Sequence, residues 1–429
     1  MGPTLIFDKS FLESLNPDEA MWLDNFFLSN ITPLFFVETL ANLEKRTRSG
    51  RTPEDIVGSI AYKTPDMGSR PNVHHATLLA GELSMGAKVE MDTGRPIISG
   101  GITHELDGKM GIMFQQSPEE EAFARWQKGQ FLDLERSYAK AWRKDLTISS
   151  LEEKYQYFQK FFPLGKPKDL NGIKRFVEFY LTNSDHEKLL LFGLSILDVP
   201  SASQELTLKR WRDSGKAPVK DFAPFFYYVV SVNFFFYLAI ATDLIGRGRP
   251  SHVIDLAYLY YLPFCHVFVS NDKLHADLVP FFLRDDQMFI SGSELKADLA
   301  NLDRHYDALP DDVKQRGVSS FAFYPPSDDT FLVSSLWDKY MSPTWRKDRI
   351  NLSPQPENES SNKILEEMRR FEKEGVPVAD DGQISSDQAH HIAIERKVRT
   401  KKGKWMRFPP EVIDRRKNDR GEWEDIQPK

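Results

Sequence analysis

Twice this chain runs a short β-branched and aromatic stretch directly into an aspartate: TLIFDKS at Thr4–Ser10 and HVFVSND at His266–Asp272. Thr4–Phe7 and His266–Val269 read as short buried strands. If the two strands share a parallel sheet, their C-terminal ends lie along one edge, and α/β folds place ligands in the crevice at that edge. Asp8 and Asp272 would then meet. Carboxylates that close raise each other's pKa unless a cation lies between them, and hard oxygen ligands select Mg2+ or Mn2+.

Around these two points the chain organises as helices. Asn16-Pro17 caps a helix expected over Asp18–Ser29, and Thr32-Pro33 starts LFFVETLANLEKR, whose Phe36, Leu40 and Leu43 recur at helical spacing. Residues 47–116 are rich in Gly, Pro and Asp and read as irregular, with turn signals at Pro65-Asp66, Thr93-Gly94 and Gly100-Gly101. Helices follow from Pro118, then over 151–162, 170–182 and 186–197. After Pro250-Ser251 another runs through Leu262. Residues 351–362 have the composition of a linker, and 363–373 that of a short charged helix. The domain division expected from this is a core made of 1–48 and 250–310, a mostly helical insertion at 49–249, an extension at 311–350, and a linker and charged tail at 351–429.

Phe222–Thr242 carries no charge and is long enough to span a bilayer. Pro224, Ser231 and Asn233 inside it, aromatic residues in its middle, and Asp221 and Asp243 at its ends argue for a buried core helix, so no membrane partner is expected. The lone Cys265 excludes an intramolecular disulfide and reads as a small core residue. The N-terminus shows neither a basic stretch leading into an apolar one nor a myristoylation pattern, so a reducing cytoplasm is expected. A net charge of -7 rules out a basic surface over the whole molecule, which leaves nucleic-acid contact to a local patch.

Two further acids stand where a strand-end site could recruit them. Glu38 lies among Phe35, Phe36, Val37 and Leu40, and Asp255 opens the otherwise apolar HVIDLAYLYYL. A carboxylate in such company needs a partner or a wet edge. An apolar strand ending Asp8-Lys9-Ser10, a helix carrying Glu38, an Asp255 opening a helix of alanine and large apolar residues, and a strand ending Ser270-Asn271-Asp272 together resemble the PIN-domain nucleases. The resemblance covers about seventy residues in two blocks, separated by an insertion far larger than the compact family domain holds. It implies an α/β, three-layer core with a parallel sheet, here carrying a largely helical insertion and a partly disordered basic C-terminal tail. It also implies metal-dependent phosphodiester hydrolysis, with RNA as substrate before DNA. On that reading Asp8, Glu38, Asp255 and Asp272 are catalytic metal ligands for Mg2+ or Mn2+, and Ser10 and Ser270 support them. Asp277 is a further acid in reach. A homo-oligomer or an inhibitory protein partner fits the same reading.

Two other readings compete. Haloacid-dehalogenase-like phosphatases also end their first strand on an aspartate, used as nucleophile, but need a second acid two residues on, where this chain has Ser10. A PIN-like module without activity would keep the acids as a charged surface alone. Among other motifs, His74-His75 with Glu82 is poorly arranged for joint chelation, because adjacent residues point to different faces. Arg396–Arg407 holds seven basic residues in twelve. With Lys397, Arg399, Lys401, Lys402, Lys404, Trp405 and Arg407 it has the composition of a nucleic-acid-contacting arm.

Overall fold

The computed structural model describes residues 2–41, 43, 50–65, 72–94, 101–107, 109–114, 121–122, 125–126, 130, 132, 134–135, 137, 141, 150–160, 167–246, 252–347, 370, 374–377, 401–408, 415–417 and 423–425. The protein is mixed α/β and mostly helical, built around four parallel strands: β1 (Thr4–Phe7), β2 (Leu28–Asn30), β3 (Val267–Ser270) and β4 (Met288–Ser291). Their order is β2-β1-β3-β4, with Leu5 opposite Val267 and Phe7 opposite Val269. The chain leaves β1 for β2 on one side and later crosses to β3 on the other. That reversal between β1 and β3 is a topological switch point, where the strand ends of a parallel sheet part to form a crevice.

Strand residues alternate between two cores. Leu5, Phe7, Val267 and Val269 face one, shared with α1 (Lys9–Ser14), α2 (Pro17–Phe26), α10 (Gly292–Asp307) and α11 (Leu332–Tyr340). Ile6 and Phe268 face the other, shared with α5 (Leu170–Asn183), α6 (His186–Ile196), α7 (Pro224–Ala241) and α8 (His252–Tyr258). Helix α3 (Pro33–Ala41), which follows β2, feeds both, with Leu34 and Val37 in one and Phe35 and Phe36 in the other. Helices α4 (Pro53–Lys63) and α9 (Lys273–Leu278) complete the set used below.

Both cores draw on helices from separate parts of the chain. Helix α7, from the supposed insertion, supplies much of one core, and α11, from the supposed extension, supplies Val333, Leu336 and Trp337 to the other. Helix α7 is long and apolar enough to cross a membrane, yet 78% of it is buried inside the protein. Its polar residue is accommodated there: the Asn233 amide donates to Val229 C=O and pairs with the Tyr260 hydroxyl, each at 2.8 Å. Its first amides are satisfied too, because the Glu82 carboxylate accepts from Phe225 N–H and Phe226 N–H.

Two sequence expectations are corrected by the structure. The helix expected to reach Ser29 stops at Phe26, because Leu28–Asn30 is drawn into the sheet as a parallel partner for β1. The segment read as irregular contains α4, whose start is fixed by a reciprocal capping box between Thr52 and Asp55 with Pro53 as first residue. It also contains an antiparallel hairpin, Gly101–Leu106 with Lys109–Phe114. The helices expected after Pro118 and over 363–373 fall mostly outside the described residues.

Candidate acidic active site

Asp8 ends β1 and is the N-cap of α1. Its Oδ1 accepts the Phe11 N–H at 2.9 Å, satisfying one of the amides a helix start leaves open. Its Oδ2 accepts two hydroxyls, Ser10 at 2.7 Å and Ser270 at 2.9 Å. Asp272 repeats the arrangement one strand over: it ends β3, caps α9, and its Oδ1 accepts the Leu274 N–H at 2.6 Å. Its own N–H donates to Ser270 Oγ at 2.9 Å. Ser270 therefore links the Asp8 carboxylate, 262 residues away in the chain, to the main-chain N–H of Asp272 at the switch point.

Glu38 reaches the same region from α3. Burial pushes its carboxyl up to about 7; the Lys9 ammonium opposes the shift and the Asp8 charge adds to it. The Tyr258 hydroxyl, from α8, donates to Glu38 Oε2 at 3.2 Å. The same burial, with Glu38 and Asp8 nearby, raises the Tyr258 phenol well above its ordinary range, so it remains a donor. Lys9 is itself 2% exposed and pairs with Glu13 at 3.1 Å.

The remaining acids contribute differently from the sequence expectation. Asp255 is half-buried on α8, and its backbone carbonyl is engaged by His275 Nε2 at 2.8 Å. Asp277 is exposed on α9. His275 is the residue sequence reasoning missed. Fully buried, it sets Nδ1 2.7 Å from Ser270 Oγ and 4.0 Å from Asp8 Oδ2. The signal lay in its position, three residues into the helix that Asp272 caps, which turns its side chain back toward the strand end. The Asp255 carbonyl can only accept, so Nε2 carries a hydrogen. The serine hydroxyl donates to Asp8, and the imidazole, with its Nε2 hydrogen on the Asp255 carbonyl, lies against the serine oxygen.

Whether these residues suit a divalent ion turns on the donors. Asp8 is buried and Glu38 half-buried, and the two interact electrostatically; Asp272, just past the end of β3, and Asp255, on α8, are half-buried. Both His275 nitrogens are already engaged, which leaves oxygen donors alone. Among the described residues no three His, Cys, Asp or Glu side chains converge to hold an ion unaided, so the expected quartet is not drawn together as a closed cage. A few carboxylates with the remaining positions left to water is the arrangement Mg2+ prefers, and on that ground the donor set fits a hydrated hard cation.

The other sequence candidates are placed elsewhere. His75 is half-buried against Tyr260, its ring centroid 5.0 Å away; loss of solvent around the imidazole pulls it down to about 3, so it stays neutral. Glu82 is committed to the start of α7. Four of the five described candidates of the basic stretch are engaged within the protein. Lys402 and Arg407 are buried on the Asp24 carboxylate, the former at 3.0 Å, and Lys402 also donates to Thr64 C=O. Trp405 packs edge-on against Trp22 at 4.8 Å, and the indole N–H of each donates to Asp303. Lys404 pairs with Asp303 and Asp307, and Lys401 alone of the described five points to solvent without such a pair in view. Lys397 and Arg399 lie outside the described residues. Comparison with protein-family models, with curated proteins and with solved structures finds no match for this chain.

Proposed function

We propose that this protein is a PIN-like, divalent-metal-dependent nuclease that hydrolyses phosphodiester bonds in RNA at the edge between β1 and β3. One observation carries the reading: Asp8 and Asp272 follow neighbouring parallel strands at a topological switch point, where Ser270 bonds the carboxylate of one and the main-chain N–H of the other. Asp8 and Glu38, with Asp272 and Asp255 directly or through water, would hold Mg2+ or Mn2+. A bound dication of this kind supplies a more acidic water and neutralises charge on a phosphate. Ser10, Ser270 and His275 fix the Asp8 carboxylate in one rotamer, with its Oδ2 committed to two hydroxyls and its Oδ1 holding the turn into α1. Asp8 is 4% exposed and bonded through both oxygens, an arrangement that disfavours the phosphatase alternative, in which it must attack as a nucleophile.

The test is cleavage of single-stranded RNA and of single-stranded DNA with Mn2+, by wild type, Asp8→Asn and Asp272→Asn. RNA cleavage that depends on Mn2+ and is lost in both variants is the expected result. Equal activity in wild type and variants would remove the proposal.

A further inference from the structure

Residues 401–408, KKGKWMRF, form a hairpin paired only with itself: Lys401 lies opposite Met406 and Lys402 opposite Trp405, and among the described residues these strands join no other sheet. Its turn is at Gly403, in the left-handed region at φ 61°, where an added Cβ would lie 2.0 Å from Asp18 Oδ1. The hairpin is seated across three helices. Lys402 and Arg407 reach the Asp24 carboxylate of α2, and the Trp405 ring packs on Trp22 and Phe321 with its N–H on Asp303 of α10 at 2.7 Å. Gly403 N–H donates to the Tyr62 hydroxyl of α4 at 3.0 Å, and Lys404 N–H to Asp18 of α2 at 2.7 Å. The segment carries bases and no acid, and the side chains it meets include Asp18, Asp24, Asp303 and Asp307. Nε and Nη1 of the buried Arg407 find no partner among the described residues, a cost that burial imposes and release relieves.

We propose that α2, α4 and α10 form a recognition groove for a basic segment carrying one tryptophan, and that residues 401–408 occupy it as a ligand held in cis, able to leave while the rest of the protein stays folded. The contacts are those of a docked peptide, with an aromatic anchor in an apolar seat and charge pairs around it. Base meets acid across the contact, which selects this segment over an acidic one. The main-chain pairing stays inside the hairpin, so no sheet has to be broken for it to leave. Held in cis, the segment is present at an effective concentration on the order of a millimolar, and it excludes a free copy until it is dislodged.

The experiment measures binding of a fluorescein-labelled peptide of sequence 401–408 to the full-length protein by fluorescence anisotropy. It compares wild type with Lys402→Glu, which sets a carboxylate against Asp24 and dislodges the hairpin while leaving the groove residues in place. Lys402→Glu should bind the peptide at least about tenfold more tightly than wild type, whose groove is filled. The same peptide carrying Trp405→Ala should bind neither protein. Equal binding of the two peptides would reduce the contact to charge attraction, and a folded Lys402→Glu that binds no peptide would remove the groove; either overturns the proposal. So would a wild-type dimer that dissociates on Lys402→Glu, since the occupant would then come from a second copy. If Lys402→Glu fails to fold, hydrogen exchange of wild type decides. Gly403 and Lys404 amides that are protected yet exchange faster than those of α2 and α10 support release without unfolding. Exchange in step with those helices would make the hairpin part of the core and overturn the proposal.

Discussion

Replacing Glu38 by glutamine should stabilise the metal-free protein at pH 8 and leave it nearly unchanged at pH 4. The carboxyl moves from 4.5 in the unfolded chain to about 7 in the fold, chiefly by loss of solvent. Below pH 4.5 it is protonated in both states, so its contribution is intact there. Between 4.5 and 7 the unfolded chain releases the proton while the folded chain keeps it, and stability falls as pH rises. Above 7 the whole difference is lost, about 3 kcal/mol at roughly 1.36 kcal/mol per pKa unit. Glutamine has the shape of the protonated acid, and its carbonyl can still accept the Tyr258 hydroxyl, so it should escape this loss. It also forgoes attraction to Lys9, which makes about 3 kcal/mol the upper bound on the gain. Urea unfolding in EDTA from pH 4 to pH 8, followed by tryptophan fluorescence, gives the difference curve, in which other titrating groups cancel. An offset independent of pH, or a variant less stable than wild type at pH 8, would refute the claim that Glu38 is a desolvated acid.

Asp8→Asn should change metal-free stability by less than about 1 kcal/mol, because the amide oxygen can still cap α1, while abolishing stabilisation by Mn2+; thermal unfolding with and without Mn2+ measures both. Asp24→Ala should cost about 3–5 kcal/mol in urea unfolding, because Lys402 and Arg407 would stay buried without their counter-charge. His275→Phe keeps a ring beside Phe268 and Tyr258 but deletes the bonds to Ser270 and to the Asp255 carbonyl. It should cost about 1–3 kcal/mol, and RNA cleavage should fall with it.

Much of the parallel core was legible in local sequence. The strands ending at Asp8 and Asp272 announced themselves because a buried strand in such a sheet is apolar throughout, and Asn16-Pro17 marked the start of α2 by the residues a helix start requires. Strand β2 was not legible. Leu28-Ser29-Asn30 has little strand propensity of its own and continues a helical pattern; it is a strand because β1 offers an unpaired edge beside it. The two-layer cover was hidden for a related reason. Nothing in the composition of Phe222–Thr242 says which surface it buries, and only the position of Ile6 and Phe268 in the same core shows that the sheet lies against it.

The site was legible to a different depth. An aspartate after a strand is favoured both as a helix cap and as a metal ligand, since the same turn exposes helix amides and brings strand ends together, so sequence alone cannot separate the two roles. Asp8 and Asp272 both serve as caps through Oδ1. What distinguishes Asp8 is its second oxygen, which collects two hydroxyls, Ser10 from α1 and Ser270 from β3, while its charge also acts on Glu38 of α3. A cap needs one oxygen and no such company. The basic tail shows the converse: its charges read as a surface because the buried acid that receives them, Asp24, sits in α2 almost four hundred residues earlier, 378 from Lys402. Charge runs are therefore read correctly only when the search for a counter-charge extends over the whole fold, and that search assigns Lys402 and Arg407 to stability.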